Sequence, residues 1–160
     1  DPHYLSWKLK TLKYNARFIE LAGEINSAMP EVTVQIVADA LNEHRKSVKG
    51  SKVLVLGLAY KKDIDDVRES PALDVIELLL KRGAEVSYHD PYVAKLRAAG
   101  AAEMTSVPME ELPGYDCVVI ITNHSDFDYA RICAEAPLVV DTRNATKDVR
   151  GPHAEKVITL

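Results

Sequence analysis

Apolar residues in the first 46 positions recur every three or four residues, which predicts helices that each carry a buried stripe. Leu5, Leu9 and Leu12 form the first stripe, and Asn15 is a candidate cap for a second helix. Pro30 interrupts the second pattern, so it either kinks one long helix or begins a new helix at its first turn. The apolar positions of this second stretch are Phe18, Ile19, Ala22, Ile25, Met29, Val34, Val37, Ala38 and Leu41.

These apolar positions lie on more than one side of the helical stretch, and a small domain alone cannot cover all of them. A second copy of the chain is the natural partner for the side that stays uncovered. We therefore predict a helical dimerisation segment over residues 1–46 and a separate domain over residues 47–160.

Short apolar runs replace the helical spacing from residue 49 onward. The predicted strands cover 52–57, 85–90, 116–121, 138–141 and 156–158, with a weak edge strand near 103–104. The predicted helices cover 71–80, 94–99 and 127–134. The inward positions of the first of these helices are Leu73, Ile76, Leu79 and Leu80. Strands that alternate with helices predict an α/β fold with a Rossmann-like, doubly wound parallel sheet behind a long helical segment.

Composition limits the classes of partner. The 160 residues are 47% hydrophobic and 28% charged, so the chain can bury a core. Its net charge of -4 argues against nucleic acid as a partner, although a few local cations suffice for a small anion. No run of 18 apolar residues occurs, so we expect no membrane span. Cys117 and Cys133 form no CxxC pair, so we expect no metal site and a cytoplasmic location.

Ligands of open parallel sheets bind at the carboxyl ends of the strands, where the first loop covers residues 57–71. This loop is not the dinucleotide fingerprint G-x-G-x-x-G, because only Gly57 is in place while Ala59 and Lys62 hold the other glycine positions. It instead carries Lys61 and Arg68 toward the start of a helix, where a phosphate would be favoured.

Each of these cations has an alternative interpretation. Lys61 and Arg68 would equally pair with the acids of their own loop, which are Asp63, Asp65, Asp66 and Glu69. Arg143, after the strand at 138–141, is suited to a bidentate phosphate or ribose contact, or to a salt bridge with Asp141 or Asp90. The three aspartates lack the glycine and the final glutamate of a calcium loop. Both cysteines fall among apolar residues and are expected to be core residues rather than nucleophiles.

Several motifs occur in an order typical of a known family. They are Gly57-Leu-Ala-Tyr-Lys61, Asp65-Asp-Val-Arg68-Glu-Ser-Pro71, Asp141-Thr-Arg-Asn144 and, upstream, the stretches 1–8, 17–26 and 29–30. With these motifs the chain resembles the UDP-glucose/GDP-mannose dehydrogenase family, in its C-terminal UDP-binding domain and central helix. The motifs are most similar to those of the branch that oxidises UDP-N-acetylglucosamine or UDP-N-acetylmannosamine at C6.

The resemblance implies an enzyme with an N-terminal NAD-binding domain, a central helix that forms a homodimer and a C-terminal domain that binds the UDP-sugar. It implies oxidation of a primary alcohol to a carboxylate through a thioester on a cysteine upstream of this chain. Position by position, Asp1 matches the family's active-site aspartate, and Tyr60 with Lys61 matches the pair that contacts the UDP-sugar. Arg143 matches an arginine that contacts the substrate, and Arg68 matches one that reaches NAD.

The chain starts at Asp1 without a methionine, which suggests a cut through a larger protein. Our leading hypothesis is therefore a C-terminal fragment of an NAD-dependent nucleotide-sugar 6-dehydrogenase that is inactive alone. The alternative is a free-standing, non-catalytic nucleotide-binding or regulatory module. An upstream reading frame with a GxGxxG turn and a cysteine would favour the enzyme.

Overall fold

The computed structural model describes residues 2–11, 16–97 and 102–160. The helices are α1 (Pro2–Thr11), α2 (Arg17–Glu43), α3 (Pro71–Lys81) and α4 (Tyr129–Glu135). The strands are β1 (Lys52–Leu56), β2 (Glu85–His89), β3 (Lys95–Leu96), β4 (Met104–Thr105), β5 (Cys117–Ile120), β6 (Val139–Asp141) and β7 (Val157–Thr159). Short 3-10 helices, which the hydrophobic pattern does not predict, cover Met109–Gly114 and Pro152–Lys156.

Five strands form one parallel sheet in the order β2-β1-β5-β6-β7, which confirms the predicted α/β fold. From β1 the chain first moves to β2 on one side and later returns to β5 on the other side. The order of the strands therefore reverses between β1 and β5. In open α/β sheets this reversal opens a crevice at the carboxyl ends of the strands, and ligands bind there.

Alternate residues of β1 belong to two separate apolar clusters. Val53 and Val55 pack with buried residues of α2 and α3. Leu54 and Leu56 pack on the other face, with α4 and the 3-10 helix at Met109–Gly114. All four side chains are fully buried, and each such burial stabilises the fold by about 1.5–3 kcal/mol. Burial on both faces explains why this strand reads as a continuous apolar run.

The start of α3 follows from its sequence. Ser70 is the N-cap, and its hydroxyl accepts a hydrogen bond from the backbone N–H of Ala72 at 3.3 Å. Pro71 occupies the first turn, where its missing N–H costs nothing. The predicted helix is confirmed, but Leu80 is 39% exposed rather than inward. Val75, which the prediction does not include, is buried.

One continuous helix, α2, runs through Pro30, which decides between the two predictions made for this residue. Asn15 lies outside the described residues, and the helix begins after Ala16 with no side-chain cap. The second half of α2 packs in the same core as the sheet, with Val34 and Val37 fully buried. The predicted division of the chain at residues 46 and 47 stays a prediction.

The apolar stripe predicted for the first helix is wrong at Leu5, which is 49% exposed. Among the described side chains of α1, Ser6 is the buried one, and its hydroxyl donates to the Glu20 carboxylate of α2 at 3.2 Å. Lys10 pairs with the same carboxylate at 2.7 Å. The contact between α1 and α2 is thus partly polar, and this leaves Leu5 outside it. Leu12 lies outside the described residues.

The helix predicted over 94–99 is wrong in the part that the structure describes. Leu96 lies in β3 and pairs with Met104 of β4 in a separate antiparallel ribbon, so β4 is not an edge of the main sheet. Glu103 binds Arg97 at 2.8 Å and Lys95 at 3.4 Å, which ties the two sides of the ribbon together. Over the described residues, helices that combine the length and apolarity needed to cross a membrane are absent.

Candidate functional site

A cleft of about 1000 Å³ lies between α2 and the carboxyl ends of β1, β5 and β6. Tyr60 reaches it from the loop after β1, and Ile121 from the end of β5. Thr142 and Arg143 reach it from the end of β6. Gly23 lies on the opposite wall, which belongs to α2. The cleft thus occupies the crevice that the reversal of strand order predicts.

Two of the predicted substrate residues, Tyr60 and Arg143, line this cleft together. Lys61 is exposed beside it, and its ammonium nitrogen lies 6.0 Å from the centre of the Tyr60 ring, near enough for a cation–π contact. The backbone N–H of Tyr60 donates to the carbonyl oxygen of Asp66 at 2.8 Å, which folds the loop back on itself. Asp1 lies outside the described residues, and its role stays a prediction.

Arg68 pairs with an acid of its own loop, which is the alternative interpretation given for it above. Its guanidinium donates two hydrogen bonds to the Asp66 carboxylate, at 2.9 and 2.7 Å, and does not line the cleft. These bonds lower the pKa of Asp66 to about 2. Both side chains remain accessible to solvent, so the pair is open to exchange with another anion.

Arg143 is placed by a buried acid at the end of β6. Asp141 is fully buried, and one carboxylate oxygen accepts the backbone N–H of Arg143 at 2.9 Å. The other oxygen accepts the backbone N–H and the hydroxyl of Thr146, at 2.8 and 2.7 Å. Thr142 donates its hydroxyl to the carbonyl of Ile120 at 2.7 Å. The turn is therefore fixed by hydrogen bonds, and Arg143 is exposed and lines the cleft.

A second buried acid, Asp90, holds the loop after β1. One of its carboxylate oxygens accepts the backbone N–H groups of Leu58 and Ala59, at 2.6 and 3.2 Å. The same oxygen lies 2.9 Å from Nε2 of His124, and the other accepts the N–H of Tyr92 at 2.8 Å. Asp90 is thus committed to the loop, and the salt bridge with Arg143 that the sequence allowed is not formed.

The loop is also anchored on its far side, at Asp63. Its backbone N–H donates to Nδ1 of His124 at 2.9 Å. Its carboxylate accepts the N–H and the hydroxyl of Ser125, both at 2.7 Å. Those two bonds lower the pKa of Asp63. Among the described residues, no cluster of ligands that could hold a metal is found.

The turn after β1 does not fit the pyrophosphate of a dinucleotide. That role needs free backbone N–H groups pointing at the ligand, and those of Leu58 and Ala59 are bound to Asp90. Gly57 has a left-handed backbone (φ 83°) and lies against the backbone of Thr122, because the two strand ends approach closely here. A glycine is needed at this position for the close approach of the two strand ends, and not for binding a phosphate.

Both cysteines are buried, as predicted. Burial raises the pKa of the Cys117 thiol to about 12 and also raises that of Cys133. The reactive thiolate form is therefore disfavoured at both positions, which is consistent with core residues.

The sequence analysis does not predict the roles of His124 and Asp90 as loop anchors. The available signal was weak: polar residues directly follow apolar runs at His89-Asp90 and at 122–125. A polar residue at that point is expected near a ligand, but here both side chains are fully buried and bind the loop instead.

Residues 54–148 match the UDP-glucose/GDP-mannose dehydrogenase family, UDP binding domain. A UDP-N-acetyl-D-mannosamine dehydrogenase of Methanococcus maripaludis is 33% identical over 147 residues, which is 86% of this chain and 33% of that protein. A UDP-N-acetyl-D-glucosamine 6-dehydrogenase of Pseudomonas aeruginosa is 28% identical over 79% of this chain and 30% of that protein. The solved UDP-D-ManNAc dehydrogenase of Pyrococcus horikoshii superposes with a TM-score of 0.74 at 28% identity, covering 94% of this chain and 34% of that one. The chain thus spans about a third of the length of the relatives it matches.

Proposed function

Because the chain belongs to the UDP-glucose/GDP-mannose dehydrogenase family, we propose that it binds the UDP end of a nucleotide sugar. We further propose that it serves an NAD-dependent 6-dehydrogenase, which oxidises the C6 alcohol of a UDP-hexose or UDP-N-acetylhexosamine to a carboxylate. Two N-acetylhexosamine dehydrogenases among its relatives support the second substrate class.

One observation carries the proposal: Tyr60 and Arg143, which are 83 residues apart in sequence, line one cleft at the point where the strand order reverses. Lys61 adds an exposed ammonium group beside it. A pyrophosphate would accept hydrogen bonds from the Arg143 guanidinium and the Lys61 ammonium, and the Tyr60 ring offers a face for a base or a sugar. The volume of the cleft is ample for a nucleotide sugar.

The proposed contact with NAD is limited to Arg68. In this structure the Arg68 guanidinium is bound to the Asp66 carboxylate. To contact the cofactor, Arg68 has to leave Asp66. The turn after β1 offers the cofactor no free N–H groups, so we derive no step of the oxidation from this chain. Both thiols are buried, and the turn after β1 does not fit the pyrophosphate of NAD. We therefore expect no reduction of NAD when this chain alone is mixed with NAD and a UDP-N-acetylhexosamine.

We also propose that two copies of the chain associate through α1 and the first half of α2. Large apolar side chains are exposed there: Phe18 is 85% exposed, Trp7 59% and Ile25 54%. Exposed apolar surface of this kind marks an interaction site. A second copy fits because most soluble oligomers are homo-oligomers, and the commonest of them is the two-fold dimer, in which the same patch of both copies meets. The pair of buried, unbridged cysteines supports a cytoplasmic setting.

Calorimetry with UDP tests the binding site. We expect the Lys61→Ala, Arg143→Ala double variant to lose at least about a hundredfold in affinity, because charge-assisted hydrogen bonds contribute about 1.5–3 kcal/mol each. Lys81→Ala, Arg82→Ala is the matched control, since it removes the same charge from exposed positions at the end of α3. Equal affinity of the wild type and the Lys61/Arg143 variant would refute the site.

A further inference from the structure

We propose that the buried pair His124 and Asp90 is a positioning device for the Tyr60–Lys61 segment, with His124 held as the neutral tautomer that is protonated at Nε2. The inference rests on the proposed function, because the segment matters only if it receives the nucleotide. Neither residue touches the cleft, so both are positioning residues rather than binding residues.

Hydrogen-bond geometry fixes the tautomer of His124. A backbone N–H can only donate, so Nδ1 must accept the proton of the Asp63 N–H at 2.9 Å and is itself unprotonated. Nε2 then carries the ring proton and donates it to the Asp90 carboxylate at 2.9 Å. The ring is fully buried, and both of its nitrogens are satisfied in this arrangement alone.

The two bonds of the ring fall on either side of the exposed segment. On one side, Asp90 holds the N–H groups of Leu58 and Ala59. On the other side, the ring holds the N–H of Asp63. Tyr60 and Lys61 lie between these anchors, in a stretch where Tyr60 is 52% exposed.

Further contacts close the same anchors. The hydroxyl of Thr122 donates to the carbonyl of Ala59 at 2.6 Å, and Ser125 donates twice to the Asp63 carboxylate. The ring of Tyr92 lies 4.9 Å from the His124 ring, and Phe127 meets it edge-on at 5.5 Å. An exposed segment with fixed ends loses less conformational freedom when it binds a ligand, so the anchors raise affinity without touching the ligand.

Two isosteric variants separate the two nitrogens. The side-chain oxygen of asparagine takes the place of Nδ1, so His124→Asn keeps the acceptor for the Asp63 N–H. The side-chain NH₂ of glutamine takes the place of Nε2, so His124→Gln keeps the donor to Asp90 and loses that acceptor. We expect UDP affinity to fall about tenfold in the Gln variant and by less than about threefold in the Asn variant, on the scale of one hydrogen bond.

Two readouts need no UDP. In the ¹⁵N spectrum of the wild-type imidazole, we expect Nδ1 to appear as an unprotonated nitrogen and Nε2 as a protonated one. In amide hydrogen exchange, we expect the Asp63 N–H to exchange at least about tenfold faster in the Gln variant than in the Asn variant. Leu79→Ala is the control, because it removes a buried side chain near the C-terminal end of α3 and should change neither Asp63 exchange nor UDP affinity.

The outcomes separate the two proposals. A protonated Nδ1 in the wild type overturns the positioning inference. This measurement is made on the wild type and so does not depend on whether a variant folds. Equal Asp63 exchange in the Gln and Asn variants also overturns it, and so does equal UDP affinity in both variants when the wild type binds UDP. If the wild type fails to bind UDP while the tautomer and the exchange difference are as expected, the proposed function is wrong and the anchoring of the loop stands.

Discussion

Gly57 lies against the backbone of Thr122, and replacing Gly57 by alanine tests how tightly the ends of β1 and β5 are joined. A Cβ at this position would lie 2.6 Å from Cβ and 2.9 Å from Cα of Thr122, and would also meet the Thr122 carbonyl oxygen. Two of these three atoms belong to the backbone, so a rotation of the Thr122 side chain cannot relieve the overlap. The strand ends would have to move apart.

Gly50 provides a matched control for the backbone conformation. It has φ +80°, nearly the same as the +83° of Gly57, and a Cβ there meets nothing within 4 Å. For Gly50→Ala, the left-handed conformation costs about 1–2 kcal/mol and the stiffer unfolded chain returns about 0.4–1, so the net loss is about 1 kcal/mol. Gly57→Ala adds the cost of overpacking, about 1–3 kcal/mol, so we expect a total loss of about 2–4 kcal/mol.

Urea denaturation followed by circular dichroism measures both free energies of unfolding. The difference between the two variants isolates the contact with Thr122, because the cost of the positive φ cancels. Equal destabilisation by Gly57→Ala and Gly50→Ala would refute the close approach of β1 and β5. The same variant has a second consequence, since separating these strand ends would displace the loop that carries Tyr60.

Three further predictions address the ion pair, the buried thiol and the exposed helix face. The pKa of Asp66 is lowered from 3.8 to about 2 by Arg68, so this pair adds stability above pH 3.8 that is lost as the pH falls through 2. In Arg68→Gln the pKa of Asp66, measured by NMR titration, should rise toward 3.8, and an unchanged value would contradict the pairing. With its pKa raised to about 12, the Cys117 thiol should resist disulfide reagents at about pH 8 until the chain unfolds, and rapid native labelling would show that it is accessible. Phe18→Asp and Ile25→Asp should each lower the sedimentation mass from dimer to monomer, whereas an unchanged mass would place the interface elsewhere.

The elements that the sequence predicts well are those set by local signals. β1 is a continuous apolar run because both of its faces are buried, and α3 begins at Ser70-Pro71 because these two residues suit a cap and a first turn. The helix predicted over 94–99 lacks such a cap. Its backbone pairs instead with residues near 104, and Leu96 is buried in that ribbon. Spacing alone does not distinguish such a short strand from a helical turn.

The site could be predicted only in part for the same reason. Gly57 and the cations of its loop stand in one recognisable stretch, whereas His124 and Asp90 are 34 residues apart and belong to different strand ends. Their partnership depends on the strand order, which brings the ends of β2, β1 and β5 side by side. A polar side chain at a strand end signals a ligand or a loop anchor equally well, and burial decides between them. Arg68 illustrates the same limit. The sequence left open whether it binds a ligand or an acid of its own loop, and in the structure it pairs with Asp66.

The two halves of α2 have different surroundings, and this gives the helix a role in both proposals. Its second half is part of the core, where Val34 and Val37 are fully buried. Its first half forms the wall of the cleft opposite Arg143, and Phe18 belongs to that wall although it is 85% exposed. A second copy that covers Phe18 would therefore also cover one side of the cleft. Because the helix is continuous through Pro30, the position of that wall is set by packing in the core, and association and nucleotide binding would share one surface.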